Sequence, residues 1–428
     1  MAVPARLGGD FARLWTAGTV SSFGTAVTTV ALPIVALTTL GASTFEVGLI
    51  SAAGLLSWLL LGLPAGVWVE RVARKPLLIA CDLVRALVLV SVPVAGVLHL
   101  LSVAHLMVAA LITGAGAVLA DIAGQTYLPA VVAPDRLVVG NSRLQASAAA
   151  AQTGGPALGG LLVQLLGGPL SIAADVLSYL VSALLLSRIR TDEAPIRRSG
   201  SRGLLPQIRE GLSHVWGDSV LRPLLLVATI VNLLCGGFDT LLVPFMVADL
   251  HLPPAQIGVL LAVSGVGGLV GAATGPVLAR RVGDARAMVI AVVAGPVLGL
   301  LVPVAHAGFG LVVFGAGLLG REAGIATISL LARSFRQLTA PPPLLARITA
   351  SIKFISWGVL PIGALLGGAL GQAMGPRLGL WIISTLFLLT SLPLWLASTA
   401  RLQRHIDQAA RPRPNDDDST VGSESCVA

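Results

Sequence analysis

Gly66-Val67-Trp68-Val69-Glu70-Arg71-Val72-Ala73-Arg74-Lys75 is a short charged break between two long apolar stretches. Its cluster of basic residues sets a pattern for the whole chain. Moving outward from it, every second break carries arginine: Arg136 and Arg143, the run 188–209, then Arg280, Arg281 and Arg286, then Arg333, Arg336 and Arg347. The breaks in between, at 41–45, 98–103, 167–169, 249–256 and 305–308, are nearly bare of basic residues, and only Arg377 near the last is positive. A soluble chain has no reason to alternate in this way. A membrane chain does, because loops kept in the cytoplasm hold Lys and Arg while translocated loops lose them. The alternation therefore predicts the class, the number of spans and an orientation with both termini in the cytoplasm.

Composition agrees. The 428 residues are 55% hydrophobic and 11% charged, against roughly 25% charged in soluble domains, and the mean hydropathy is +0.89. A helical span takes about 20 apolar residues. Twelve fit between residues 12 and 399, at 12–40, 46–69, 76–98, 103–126, 143–166, 169–187, 222–248, 255–279, 286–305, 308–332, 347–373 and 378–399. The net charge of +8 sits in short loops beside these spans, so it reads as topology and not as a nucleic-acid surface. Cys81, Cys235 and Cys426 form no disulfide framework. Arg6 and Arg13 precede an apolar stretch that runs to Leu40 without a small-residue cleavage site, so it reads as a retained first span.

The expected fold class is an all-α membrane protein, with twelve transmembrane helices in two six-helix pseudo-repeats. Residues 1–187 form an N-terminal bundle, 188–221 a cytoplasmic linker, 222–399 a C-terminal bundle and 400–428 a disordered polar tail. In the linker, Leu204, Leu205, Ile208, Leu212 and Val215 recur at helical spacing against Arg202, Arg209 and Glu210, which predicts an amphipathic surface helix. The repeat rests on two internal matches. Val47 set against Ile257 brings Gly48 onto Gly258 and Arg71 onto Arg281; Arg143 set against Arg347 brings Gly154 and Gly159 onto Gly358 and Gly363. Two similar halves joined by a linker imply a site between them near the midplane.

The break at 66–75 resembles motif A of the major facilitator superfamily: Gly66, then Glu70-Arg71 and the basic residues Arg74 and Lys75. Glu70 replaces the usual Asp, and Ala73 the usual Gly, which removes the residue best suited to a left-handed turn. Asp121, toward the same end of the fourth span, is the expected partner of Arg71 or Arg74 in a cytoplasmic gate. Gly155-Pro156-Ala157-Leu158-Gly159-Gly160 resembles the core of motif C, which that superfamily associates with exporters. Small residues let helix backbones approach closely, and proline weakens the helix locally. Glycines at 267, 271 and 275, and at 363, 367 and 371, form further ladders. With Asp82-Leu83-Val84-Arg85-Ala86 opening the third span, the chain is similar to the drug-efflux branch that includes macrolide-type and enterobactin-type exporters.

Charges inside the spans are costly, about 2.5–3.5 kcal/mol each at the centre of a lone helix. Asp82 and Arg85, three apart, face one side as a structural pair. Asp175, Asp239, Arg321, Glu322 and Lys353 are the proton or substrate candidates. The alternative is interhelical pairing, for example Glu322 with Lys353, or Asp239 with Lys353 or Arg321. Asp239 is the sharpest candidate, because the seventh span has no basic residue within a turn of it, only Asn232 and Thr240 as polar companions.

Neither lysine of the chain stands in a Gly-Lys-Ser/Thr phosphate loop, and there is no His-Glu-x-x-His or Cys-x-x-Cys. No metal, cofactor or catalytic residue is expected. The resemblance implies a monomeric secondary transporter of the plasma membrane, moving small molecules outward by alternating access in exchange for protons. An importer or lipid-moving member of the same superfamily remains open, as does, in another class, an intramembrane enzyme or a non-transporting sensor.

Overall fold

Helix is the only regular structure among the described residues of this computed structural model, which are 8–62, 64–191, 213, 216–217, 221–339 and 345–389. A hydrocarbon solvent offers the backbone no hydrogen bonds, so each segment must satisfy its own. The helices are α1 Gly9–Thr39, α2 Thr44–Leu61, α3 Pro64–Arg71, α4 Arg74–Val97, α5 Val103–Val131, α6 Leu137–Leu166, α7 Gly168–Ser171, α8 Ala173–Ser187, α9 Leu221–Pro244, α10 Pro254–Val282, α11 Asp284–Gly299, α12 Leu301–Val304, α13 Gly310–Thr339, α14 Leu345–Gly358, α15 Leu360–Met374 and α16 Pro376–Leu389. Among the described residues, ten stretches are long and apolar enough to cross a membrane. The less apolar α6 runs beside α1 and α10. The linker helix expected over 202–215 lies outside the described residues, apart from Ser213, and so does the tail.

Local chemistry fixes several boundaries. Ser43 and Glu46 cap α2 reciprocally: Ser43 Oγ accepts from the Glu46 N–H at 3.3 Å, and Glu46 Oε2 from the Ser43 N–H at 2.7 Å. Four expected spans are divided, 169–187 and 286–305 among them, and in the other two, 46–69 and 347–373, a Gly–Pro pair marks the break. Of these two, the first breaks between α2 and α3, at Gly62 and ahead of Pro64; the second breaks between α14 and α15, at Gly358 and ahead of Pro361. Proline suits the first turn of a helix and not its interior, so each Gly–Pro pair ends one helix and starts the next. After Pro244, α9 widens into a π-helical turn at Phe245–Asp249.

The first eight helices pack mainly among themselves, α1 on α6 and α8, and α4 on α5 and α8. The later ones do likewise, with α10 on α13, α13 on α11, and α9 on α15. Two seams join the sets: α6 against α10, and α2 against α15. Asp10 draws the start of α1 to the end of α8. It pairs with Arg13 and accepts from the backbone N–H of Arg190 (3.1 Å) and Thr191 (3.0 Å). Arg377, the lone cation of the arginine-poor end, donates to the carbonyls of Pro303 and Ala305, both at 3.0 Å, and reaches Asp249 at 3.5 Å.

Candidate transport site

Asp239 sits in the last third of α9, ahead of the π-helical turn, and its surroundings show where it faces. From Val231 to Met246 every residue of the chain is buried or half-buried except Asp239, whose side chain is 60% accessible. A lipid-facing helix would expose a stripe at three- and four-residue spacing. A single opening in a covered stretch marks a space inside the protein. Arg321 of α13 is 3% exposed and reaches the Asp239 carboxylate at 3.4 Å. The same guanidinium pairs with Glu322, donates to Cys235 Sγ at 3.3 Å, and lies 4.0 Å from the Phe238 ring centroid and 5.2 Å from that of Phe387. One cation therefore holds two carboxylates under an aromatic cover. Of the pairings that sequence left open, Arg321 takes both Asp239 and Glu322, and Lys353 takes neither.

The first set of helices has a drier cluster. Arg85 lies 3.9 Å from Asp82, donates to the Thr113 carbonyl at 3.3 Å, and stacks 4.4 Å from the Tyr179 ring centroid. Asp82 and Arg85 are thus brought within ion-pair distance of each other. Asp175 is fully buried, accepting from Thr28 and Ser178, and Tyr179 shares a 2.7 Å hydrogen bond with Thr25. Its hydrogen-bond partners Thr28 and Ser178 lie in α1 and α8, so Asp175 ties those two helices together.

The glycines of 155–160 face two helices. Gly155 and Gly159 meet Ala26 and Val27 of α1, while Gly160 meets the backbone of Pro254 and Gly258 of α10. A Cβ on Gly160 would lie 2.9 Å from the Gly258 Cα. At the other seam, a Cβ on Gly48 would lie 2.9 Å from the Ala364 carbonyl and 3.0 Å from the Gly368 Cα. These backbone approaches lie toward the arginine-poor ends of their helices. The glycines at 267, 271 and 275 set α10 against α13, and those at 363, 367 and 371 set α15 against α9.

At 66–75 the residues are spread over three surroundings. Gly66 has open space around it, Arg71 is exposed, and Lys75 donates to the Ile189 carbonyl at 2.6 Å. The Glu70 side chain lies outside the described residues. Asp121 accepts from Gln125 at 3.1 Å, and among the described residues no ion pair joins it to Arg71 or Arg74. Instead it lines a cavity of about 170 Å³ with Trp58, Lys353, Phe354 and Trp357. Sequence reading missed that aromatic group, because its members lie on α2 and α14, far apart in the chain.

Known proteins resemble the whole molecule. The chain is 29% identical over 405 residues to the multidrug efflux pump Tap of Mycolicibacterium fortuitum, covering 91% of this chain and 95% of that one. It is 30% identical over 228 residues to Tap of Mycobacterium tuberculosis, covering 52% of each. In fold it is similar to a bacterial homologue of the iron transporter ferroportin in its inward-facing state, with TM-score 0.73, 18% identity, and coverage of 94% of this chain and 99% of that one. The nucleoside transporter NupG also gives 0.73, at 12% identity and with coverage of 91% and 99%. The family model described as transmembrane secretion effector matches residues 4–420. With that match over nearly its full length, the chain belongs to the transmembrane secretion effector family of major facilitator transporters.

Proposed function

We propose that this transporter is a plasma-membrane efflux pump for small molecules, driven by proton antiport through alternating access. The efflux direction is supported by the multidrug efflux pump that it matches over nearly its full length. The observation that carries the coupling is Asp239, a mid-span carboxylate open to an internal space and held by a buried arginine. Such a group can release its guanidinium and take a proton when the space changes sides. Glu322, on the same guanidinium, is the second acid of the relay.

Twelve spans in two six-helix repeats fit the helices, counting α2–α3, α7–α8, α11–α12 and α14–α15 as one span each and adding α6 and α16. The contacts favour a repeat four residues, about one helical turn, away from the match of Arg143 with Arg347. Gly155-Pro156-Ala157-Leu158-Gly159-Gly160 then aligns with Gly363-Ala364-Leu365-Leu366-Gly367-Gly368. Gly160 packs on Gly258 as Gly368 packs on Gly48, and Gly48 and Gly258 are already equivalent in the first internal match. The seams are tight at the arginine-poor ends, so we assign this conformation as open toward the arginine-bearing, cytoplasmic side. In the opposite conformation Arg71, Arg74, Lys75 and Asp121 would close that side.

The test is transport by purified protein in vesicles. A pH gradient, acid on the side of the arginine-poor loops, should drive labelled compound toward that side, and collapsing the gradient should stop it. Uptake in the reverse sense would support an importer. No movement of any member of a chemically diverse panel would defeat the transporter reading.

A further inference from the structure

The cavity between α2, α5 and α14 contains a cation already seated. Lys353 Nζ lies 4.6 Å from the Trp357 ring centroid and 5.2 Å from that of Trp58, and the two indoles meet edge to face, with centroids 5.2 Å apart. Among the described residues no carboxylate lies within ion-pair distance of Lys353. Asp121 stands on the wall of the same cavity, its carboxylate exposed and, among the described residues, hydrogen-bonded only to the Gln125 amide. Phe354 and Ile122 add apolar lining, and Gly62 and Gly358, where α2 and α14 end, complete the wall.

Two indole faces attract an ammonium through their quadrupoles, and they attract a ligand cation by the same means. We propose that this aromatic seat is a binding site for organic cations with an apolar or aromatic body. Lys353 is its tethered occupant. A ligand cation displaces the lysine from between Trp58 and Trp357, and the freed side chain extends along its own stem toward water. Asp121 then supplies the counter-charge that Lys353 leaves unused, while Phe354 and Ile122 take the apolar body. The site joins α2 and α5 of the first set to α14 of the second, so a bound cation bridges the seam. As the chemistry of an exported substrate the site rests on the efflux reading; as a binding site it does not.

The sign of one substitution separates this site from its opposite. With purified full-length protein in detergent, the probe is tetraphenylphosphonium, a permanent cation whose charge does not change with pH, and its comparison is the isosteric anion tetraphenylborate. Lys353→Ala empties the seat and should tighten tetraphenylphosphonium binding by about tenfold, while Lys353→Arg should leave it near the wild-type value. Trp58→Ala and Trp357→Ala should each weaken it by roughly three- to fivefold, as expected for a cation–π contact in a partly open site. Asp121→Asn should weaken it as well. Should alanine disturb folding, Trp357→Phe gives the smaller ring and a smaller loss. Weaker cation binding in Lys353→Ala would overturn the proposal, as would tighter binding of tetraphenylborate that depends on Lys353, or no saturable cation binding by either protein. Cation binding with these signs but no transport in vesicles would count against the efflux reading and leave the site standing. Transport of other compounds without cation binding would do the reverse.

Discussion

Arg321 and Lys353 are both cations in the second set of helices, and their surroundings divide their work. Arg321 is buried and holds two acids; Lys353 lines a cavity with two indoles. Asp239→Asn is expected to keep substrate exchange across the vesicle membrane while abolishing transport driven by a pH gradient. Gradient-driven transport at the wild-type rate would end the proton-carrier role, and a variant that no longer folds would make the pair with Arg321 structural. Arg377 has a different task. Hydrogen bonds to a charged group contribute about 1.5–3 kcal/mol each, so Arg377→Ala should lower the unfolding temperature in detergent by several degrees. Unfolding at the wild-type temperature would show that the clamp on Pro303 and Ala305 contributes nothing. The chain could not announce these assignments. It shows which charges fall inside spans, but Arg321 meets Asp239 only through the packing of α13 on α9, and a carboxylate in sequence looks the same whichever cation reaches it.

Helix positions were legible because hydropathy and arginine alternation both register at the length of a membrane span. The divisions at Gly62–Pro64 and Gly358–Pro361 were present as Gly–Pro pairs, but windows of about 20 residues average over them. The glycines of 155–160 were recognisable as a close-packing surface; which neighbour each one faces was not, because the pattern fixes only a side of the helix. That side matters at the seam. Gly258→Val would press a branched side chain onto the Pro156 carbonyl. Overpacking of this kind costs about 1–3 kcal/mol, enough to shift a two-state equilibrium roughly tenfold. The variant should populate a form open at the arginine-poor end. Spin labels at the exposed Leu100 and Phe309, one in each set of helices at that end, should then move apart. An unchanged distance would mean that the glycine contacts do not govern closure.

The molecule as a whole has two chemically different ends, and its orientation can be measured directly. After removal of Cys81, Cys235 and Cys426, Ser201→Cys should resist an impermeant thiol reagent in intact cells, while His251→Cys, on an exposed turn, should react. The reverse result would invert the molecule and place the 66–75 break outside. In the expected orientation the seams that shut the outer side are Gly48 on Gly368 and Gly160 on Gly258, main chain against main chain, with a single hydrogen bond from the Ala255 N–H to Gln164 beside the second. The glycine contacts themselves contain nothing that titrates and little that salt can screen. The cell controls the pH and ionic strength of its interior but not those of its surroundings. If that end faces outward, the two glycine contacts close it by shape, and the ion pair of that end, Arg377 with Asp249, lies within the second set of helices, so acid, alkali or brine outside would leave the door itself shut.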